Sequence, residues 1–212
     1  MAKIELKNVA HSYTPSVEEP EYALKKCNLI WKDGGRYAVL GPSGCGKTTM
    51  LNIMSGLVKP SEGSLNFDGL DVTNISTSER NIAQVFQFPV IYNTMTVAQN
   101  LGFPLLCRNY SKDEISKKVD QVAQTLGLED LLDLRATKLT ADQKQLISLG
   151  RGLVREDVAA ILMDEPLTVI DPDLKFRLRR RLKEINELYK STLIYVTHDQ
   201  NEAMTFADNI IV

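Results

Sequence analysis

A lysine and two threonines close a glycine-rich stretch whose residue types could hold a phosphate. The stretch reads Gly41-Pro42-Ser43-Gly44-Cys45-Gly46-Lys47-Thr48-Thr49, and its spacing is that of the P-loop, G-x-x-x-x-G-K-[ST]. The glycines let backbone N–H groups turn inward toward a phosphate. Lys47 supplies a positive charge for the β- and γ-phosphates, and the Thr48 hydroxyl is placed to bind Mg²⁺. These residues predict a site for a nucleotide with magnesium.

The segments on either side distinguish a P-loop from a chance glycine-rich turn. Residues 36–40 read as a short buried strand, and residues 49–58 are apolar at helical spacing. A P-loop requires this order of strand, loop and helix. A helix that begins near Lys47 also directs its positive end at the phosphate. The context therefore favours the P-loop.

Two carboxylates follow the continuously apolar strand pattern at residues 158–163. Asp164 fits the Walker B aspartate, which holds Mg²⁺ through water. Glu165 could orient or deprotonate an attacking water. Kinases of small molecules usually lack this second acid, because their nucleophile is a substrate hydroxyl, so Glu165 favours hydrolysis. The alternative is that Glu165 only caps the turn that follows.

Two further polar residues follow strand patterns. Gln87 comes after Val85-Phe86, and His198 comes after residues 194–197. The carboxyl ends of parallel strands form one edge of a sheet, where ligands bind. We therefore expect Gln87, Asp164, Glu165 and His198 to converge on the edge that carries the P-loop. A structural role is the alternative for the histidine.

Composition excludes several classes of protein. The 212 residues are 43% apolar and 25% charged, with a net charge of −2, which is typical of a globular domain and not of a nucleic-acid binder. Three cysteines without a C-x-x-C pair indicate reduced thiols in the cytoplasm. We find neither a signal peptide nor an apolar run long enough to span a bilayer. A basic run, Arg177 to Lys183, lies between apolar helical positions and is interpreted as a solvated helix face rather than a nucleic-acid contact.

The remaining patterns place these residues on elements. Strands are predicted at residues 3–9, 22–31, 63–68 and 81–86, with a surface loop at 14–21, and buried strands at 158–163, 192–196 and 209–212. Capping boxes at Thr96/Gln99 and Ser111/Glu114 begin helices in residues 88–157. The second of these helices is expected to stop at Gly127. Because the last strand pattern stops at residue 212, we expect the chain to be a fragment of a longer protein.

In this order the motifs resemble those of the ATP-binding subunits of ABC transporters, over all 212 positions. The resemblance assigns further roles. Tyr13 would stack on adenine, Gln87 would open the Q-loop, and His198 would be the switch histidine that contacts the γ-phosphate. Leu139-Thr140-Ala141-Asp142-Gln143 occupies the signature motif, whose Thr140 and Gln143 would serve the nucleotide of a partner subunit. Asp164-Glu165-Pro166 matches Walker B, and residues 167–171 match the D-loop.

The resemblance implies an architecture and a set of partners. The fold would be α/β, a P-loop NTPase (RecA-like) parallel sheet core with an N-terminal antiparallel β part and an inserted α-helical subdomain. Residues 1–87 and 158–212 would form the nucleotide-binding core and residues 88–157 the helical signature subdomain. The family usually adds a C-terminal regulatory β-domain, which is absent here. ATP and Mg²⁺ would be bound, with Thr48, Gln87 and Asp164 around the metal.

The same resemblance implies the assembly. A second ATPase subunit, identical or different, would face this one, and transmembrane permease subunits would receive the motion through residues 88–95. A solute-binding protein would take part indirectly, and no nucleic acid is expected. The location would be the cytoplasmic face of the cell membrane, as a peripheral subunit.

The departures from the family pattern narrow the resemblance. Ala141 and Asp142 replace the two glycines of Leu-Ser-Gly-Gly-Gln, Leu146 stands where arginine is common, and Thr168 and Val169 replace serine and asparagine in the D-loop. A carboxylate ~6 Å from a phosphate charge costs roughly 2–3 kcal/mol at an effective dielectric of ~20. Either this signature weakens the composite site, or the subfamily has adapted to it. Together the variants look like the ATPase subunits of glycerol importers, relatives of the maltose and glycerol-3-phosphate importer ATPases.

Two other functions stay open at this point. A nucleotide-binding switch with little hydrolysis would fit the altered signature. A DNA-repair or chromosome ATPase of the same superfamily would carry coiled-coil or zinc insertions, and none is present in the sequence.

Overall fold

The computed structural model describes residues 2–14, 20–168 and 170–212. The predicted surface loop at 14–21 falls mainly outside these residues, and so does Val169. The strands are β1 (Ile4–His11), β2 (Leu24–Trp31), β3 (Arg36–Leu40), β4 (Glu62–Phe67), β5 (Leu70–Asp71), β6 (Ile82–Val85), β7 (Ala160–Asp164), β8 (Leu193–Thr197) and β9 (Asn209–Ile211). The α-helices are α1 (Lys47–Ser55), α2 (Val97–Leu106), α3 (Lys112–Leu126), α4 (Ala141–Leu153), α5 (Pro172–Tyr189) and α6 (Gln200–Phe206). Short 3-10 helices occupy Glu129–Leu131 and Ala136–Lys138.

Two sheets organise these strands. An antiparallel sheet has the order β2-β1-β4-β5, and a second sheet has the order β6-β7-β8-β3-β9, with β7, β8, β3 and β9 paired in parallel. Strands β7 and β8 are buried at every position, as their continuous apolar patterns predict. The two-residue strand β5 carries no sequence pattern of its own and was not predicted.

The chain divides into two compact units. The first comprises Met1–Gln84, Asp157–Asp164 and Ile185–Val212, and the second comprises Val85–Glu156 and Glu165–Glu184. The predicted domain bounds, 1–87 with 158–212 and 88–157, stay a prediction.

One hydrophobic core holds the first unit together. It joins Ile4, Leu6 and Trp31 of the antiparallel sheet to Leu162 and Val196 of the parallel strands, with residues of α1 in the same cluster. Trp31 is fully buried and is a packing residue of this core. Helix α1 therefore lies against the core, and the P-loop before it starts from a packed base.

The helix after the P-loop begins where the sequence predicts. Helix α1 runs from Lys47 to Ser55, in agreement with a helix that begins near Lys47, although the apolar pattern continues to residue 58. Gly56 has a φ of 85° and its N–H bonds the Ile53 carbonyl, so the helix ends in a left-handed glycine cap. Of the two apolar residues that follow, Val58 packs against the core and Leu57 is exposed.

A buried arginine binds the carbonyl oxygens at the C-terminal end of α1. Arg80, which is 4% exposed, donates to the carbonyl oxygens of Ile53 (2.5 Å) and Met54 (3.2 Å), and also to those of Thr73 (2.9 Å) and Ile75 (3.0 Å). The last carbonyls of a helix have no partner within the helix and carry its negative end. Burial lowers the pKa of the Arg80 guanidinium. The arginine thus satisfies carbonyls that would otherwise be buried alone.

We expect Arg80→Met to destabilise the protein by about 2–4 kcal/mol, because buried carbonyls would lose a charged donor. Urea unfolding monitored by circular dichroism measures the loss. Arg181→Met is the matched control, since Arg181 is exposed and pairs with Glu184 at 3.4 Å. Equal stability of the two variants would contradict this role of Arg80.

Three helices form the body of the second unit. Helices α2, α3 and α4 each begin in a capping box, at Thr96/Gln99, Ser111/Glu114 and Thr140/Gln143, and the first two are the boxes predicted above. Helix α3 ends at Gly127, also as predicted. A side chain at Gly150 of α4 would place its Cβ 2.5 Å from Leu101 of α2, so the glycine permits the close approach of these helices. In α5, Arg180 and Arg181 are exposed and pair with Glu184, which agrees with a solvated helix face.

Candidate nucleotide-binding site

The P-loop connects β3 to α1. Gly46 stands directly before the helix with a φ of 96°, and a Cβ there would lie 2.3 Å from the Ala23 carbonyl oxygen. Only glycine fits both conditions. Pro42, Ser43, Gly44 and Cys45 are exposed, whereas Lys47 and Thr49 are buried. The backbone of the loop is therefore accessible at the surface, while the residues at the start of the helix are packed in the interior.

Lys47 holds the loop by its side chain. Its Nζ donates to the carbonyl oxygens of Gly41 at 2.7 Å and Pro42 at 2.8 Å, and it lies 3.9 Å from the Cys45 Sγ. The residue is 8% exposed. A buried ammonium beside exposed loop backbone is the arrangement that binds phosphate oxygens.

Thr48 and Asp164 meet across the first unit. The Thr48 hydroxyl donates to Oδ2 of Asp164 at 2.8 Å, although the residues lie 116 positions apart. Both groups are hard oxygen donors, and Mg²⁺ in nucleotide sites is bound by one or two such groups with the substrate phosphates. The pair therefore fits a magnesium site at the end of β7.

The carboxyl ends of three parallel strands lie side by side in the first unit. Leu40 pairs with Thr197, and Asp164 pairs with Val196. The P-loop follows the first of these ends, His198 follows the second, and Asp164 is itself the third. The structure thus brings His198, which is exposed, to the edge that carries Gly41 and Asp164.

Buried hydrogen bonds fix the backbone beside His198. Glu202 accepts from the hydroxyls of Tyr195 and Thr197, both at 2.9 Å, and is 7% exposed. The Asp199 side chain caps α6. Sequence reasoning missed Glu202, because its partners belong to a strand that the pattern describes only as apolar.

Tyr13 lies two residues beyond the end of β1 and is 60% exposed. Its hydroxyl is 3.3 Å from the Thr49 hydroxyl, and its ring stands edge-on to His11, with centroids 4.5 Å apart. His11 Nδ1 is in turn 3.2 Å from the Ser61 hydroxyl. An exposed aromatic ring fixed at two points offers a stacking surface beside the P-loop helix.

In the second unit Gln87 and Glu165 come together. Nε2 of Gln87 lies 3.4 Å from Oε2 of Glu165, at the limit of a hydrogen bond. Glu165 has a φ of 44°, an uncommon conformation for a non-glycine residue. Thr168 donates from its hydroxyl to the Glu165 carbonyl at 3.0 Å, so Glu165 also belongs to a turn, as the capping alternative requires.

Thr140 and Gln143 face each other across the first turn of α4. The Thr140 hydroxyl accepts from the Gln143 N–H at 3.3 Å, and the Gln143 side chain accepts from the Thr140 N–H at 3.0 Å. Asp142 lies in the same turn, where a carboxylate is favoured by the helix dipole. The signature segment is therefore a well-capped helix start that carries a negative charge.

Comparison with known proteins adds to this geometry. Residues 24–168, which include the P-loop, Gln87, Asp164 and Glu165, match the model of the ABC transporter family. The chain belongs to the ABC transporter family. The predicted family is therefore confirmed. No helix among the described residues combines the length and apolar character needed to cross a membrane.

Its relatives are ATP-binding proteins. The chain is 41% identical over its whole length to the sn-glycerol-3-phosphate import ATP-binding protein UgpC 1 of Rhizobium etli, and 40% identical to the trehalose import ATP-binding protein SugC of Mycobacterium tuberculosis. It spans 59% of the first and 53% of the second. The chain is thus less than two thirds of the length of these relatives.

A solved structure bears out the fold. An ATP-binding cassette determined as a dimer in a post-hydrolysis state, bound to ADP and Pi, superposes with a TM-score of 0.85 at 32% identity, covering 96% of this chain and 91% of that one. The predicted α/β fold of an ABC ATPase is confirmed.

Proposed function

We propose that this chain binds and hydrolyses ATP as the energy-supplying subunit of an ABC importer for a polyol or sugar. The observation that carries the proposal is the bond from Thr48 in the P-loop to Asp164 at the end of β7. It brings a phosphate loop and a magnesium carboxylate together, in a family whose members named above are import ATP-binding proteins.

Each predicted residue has a role in this proposal. The backbone of Gly41 to Gly46, with Lys47 and Thr49, binds the phosphates, and Tyr13 stacks on the adenine. Thr48, Asp164 and Gln87 would hold Mg²⁺, which would neutralise charge on the phosphates. Glu165 orients or deprotonates the attacking water, and His198 contacts the γ-phosphate.

The assembly in the proposal is a pair of ATPase subunits. Each P-loop would be covered by the signature helix of the other subunit, through Thr140 and Gln143, and closure around ATP would move the permease subunits as rigid bodies. The related cassette determined as a dimer supports a paired arrangement. A solute-binding protein would deliver the solute, and the subunit would act at the cytoplasmic face of the membrane.

The solute class rests on the relatives. Their names give sn-glycerol-3-phosphate and trehalose as imported compounds, and the variant motifs of this chain resemble those of glycerol importers. Glycerol or a related polyol or sugar is therefore the proposed cargo.

The test is ATP hydrolysis by the complete assembly, purified through a tag on this chain and reconstituted in proteoliposomes. We expect phosphate release that requires Mg²⁺ and rises with the transported solute. ATP binding without phosphate release would favour the second candidate, a nucleotide switch. That candidate is supported by Ala141 and Asp142 in place of glycines. Failure to bind ATP would contradict both.

Asp142 gives a prediction about turnover. If its charge opposes the γ-phosphate held by the partner subunit, Asp142→Gly should raise ATP turnover by about 5- to 30-fold, because solvent and salt reduce the roughly 2–3 kcal/mol cost of the like charges to about 1–2 kcal/mol at the protein surface. Steady-state phosphate release measures this. Asp113→Gly is the control, since Asp113 lies in the first turn of α3. Unchanged turnover in Asp142→Gly would contradict an inhibitory charge.

Cys45 gives a chemical prediction about the P-loop. It is exposed and 3.9 Å from the Lys47 ammonium, so alkylation with N-ethylmaleimide should block nucleotide binding, and bound ATP should slow the alkylation at least 5-fold. Peptide mass spectrometry follows each thiol separately. Cys107, also exposed, is the internal control and should react at the same rate with or without ATP. Lack of protection at Cys45 would mean that its thiol points away from the nucleotide.

A further inference from the structure

A buried glutamine links the segments that carry Gln87 and Glu165. Gln145 of α4 is 0% exposed. Its Nε2 donates to the carbonyl oxygen of Pro166 at 2.9 Å and to that of Phe86 at 3.2 Å. Phe86 precedes Gln87, and Pro166 follows Glu165. One side-chain amide therefore spans two backbone segments, each one residue from a proposed catalytic side chain.

This link is stronger than the contact between the two side chains themselves. Gln87 and Glu165 approach only to 3.4 Å, and Gln87 is exposed, so water competes with their contact. The bonds from Gln145 are shorter, and the bond to Pro166 is buried while the bond to Phe86 is partly buried, so water competes with them less. The spacing of the two segments is therefore set by Gln145 more than by direct contact.

The carbonyl oxygen of the Gln145 side chain indicates that packing alone does not explain why a glutamine occupies this position. Oε1 of Gln145 is buried and has no hydrogen-bond partner among the residues that the structure describes. A buried acceptor without a partner is costly, and leucine, of similar size, would avoid that cost. What leucine cannot supply is the donor to the two carbonyls.

Gln145 lies close to the start of α4, so its hydrogen bonds connect that end of the helix to the segments that carry Gln87 and Glu165. It follows the capping box of Thr140 and Gln143 by less than one helical turn. A displacement of this helix start would therefore pull on both carbonyls together.

We propose that Gln145 is a positioning residue for ATP hydrolysis, which sets the spacing of Gln87 and Glu165 and changes it when the signature end of α4 moves. The inference rests on the proposed function, in which that end of α4 meets the nucleotide of the partner subunit. Substitution of Gln145 would change the turnover of ATP and would not change the affinity of the P-loop for the nucleotide.

The test compares Gln145→Leu and Gln145→Glu with Ser148→Ala in the complete assembly. Ser148 is the matched control, because it lies on the same helix and is 6% exposed. It accepts at 3.4 Å from the N–H of Val90, three residues after Gln87, instead of bonding the carbonyls of Phe86 and Pro166. We expect both Gln145 variants to lower kcat at least 10-fold with KM for ATP within 2-fold. Ser148→Ala should keep kcat within 2-fold. In combination with Gln87→Ala, the effect of Gln145→Leu should be less than multiplicative.

A structural measurement makes the test independent of activity. Hydrogen exchange should become at least 5-fold faster in the peptides covering residues 86–90 and 164–168 of Gln145→Leu, and Ser148→Ala should leave the second peptide unchanged. Wild-type kcat in Gln145→Leu, an equal loss in Ser148→Ala, or unchanged exchange at 164–168 would overturn the proposal. A wild-type assembly without ATP turnover would contradict the proposed function instead, and the exchange data would still decide the role of Gln145.

Discussion

Lys47→Ala is expected to lower the affinity for Mg·ATP by about 100-fold or more. The ammonium is 8% exposed and lies on the carbonyls of Gly41 and Pro42, at the start of the phosphate loop. Hydrogen bonds to charged groups contribute about 1.5–3 kcal/mol each, and about 1.4 kcal/mol is a factor of 10 in affinity. Loss of two such bonds to phosphate oxygens accounts for the expected change. The loop also loses the hydrogen bonds from Lys47 to the carbonyl oxygens of Gly41 and Pro42.

Titration with a fluorescent ATP analogue measures this affinity. Lys59→Ala is the control, because Lys59 is an exposed lysine of the same unit, beyond the end of α1. Lys47→Arg separates charge from geometry, since arginine keeps the charge but presents a larger planar group. If Lys47→Ala binds ATP within 3-fold of the wild type, the P-loop does not hold the phosphates and the proposed site is wrong.

The parts of the fold that the sequence predicted are those set by neighbouring residues. Thr96 and Ser111 cap helices through groups three positions away, so the capping boxes are visible in the sequence. The strand that becomes Ala160–Asp164 is buried on both faces and leaves a continuous apolar run. The P-loop likewise lies within nine consecutive residues. Local chemistry decides these features, and local patterns therefore find them.

The contacts that were missed connect distant positions. Arg80 bonds carbonyls 26 and 27 residues earlier, and Gln145 bonds carbonyls 21 and 59 residues away. A sequence shows that a residue is polar but not which carbonyl it meets. One signal was present for Gln145: it shares a helical stripe with Leu149 and Leu153, which are buried. A polar residue on an apolar stripe indicates a buried hydrogen bond, although not its partner.

The site itself was predictable in its residue types and less so in its arrangement. The Thr48 and Asp164 side chains meet as motif spacing and strand order suggest. The role of Glu165 is different, because the structure provides for both interpretations that the sequence allowed. Its carboxylate is within 3.4 Å of Gln87, and its carbonyl accepts from the Thr168 hydroxyl. Only a functional measurement separates a catalytic carboxylate from a turn residue.

Glu165→Gln should supply that measurement. We expect turnover to fall by about 100- to 1,000-fold, because removal of a general base typically costs 10²- to 10⁴-fold. The affinity for ATP should remain within 2-fold, since the amide keeps the shape of the side chain and the P-loop is untouched. Single-turnover phosphate release gives the rate, and equilibrium titration gives the affinity.

Two control variants separate the catalytic role from the turn. Glu184→Gln removes an exposed carboxylate of α5 that pairs with Arg180 and Arg181, and should leave turnover within 2-fold. Thr168→Val removes the hydroxyl that bonds the Glu165 carbonyl at 3.0 Å and lies 3.4 Å from Oε2 of Glu165, and it keeps the carboxylate itself. If Glu165 is catalytic, Thr168→Val lowers turnover far less than Glu165→Gln. Were Thr168→Val as damaging as Glu165→Gln, or were Glu165→Gln fully active, Glu165 would be a turn residue and another group would have to activate the water.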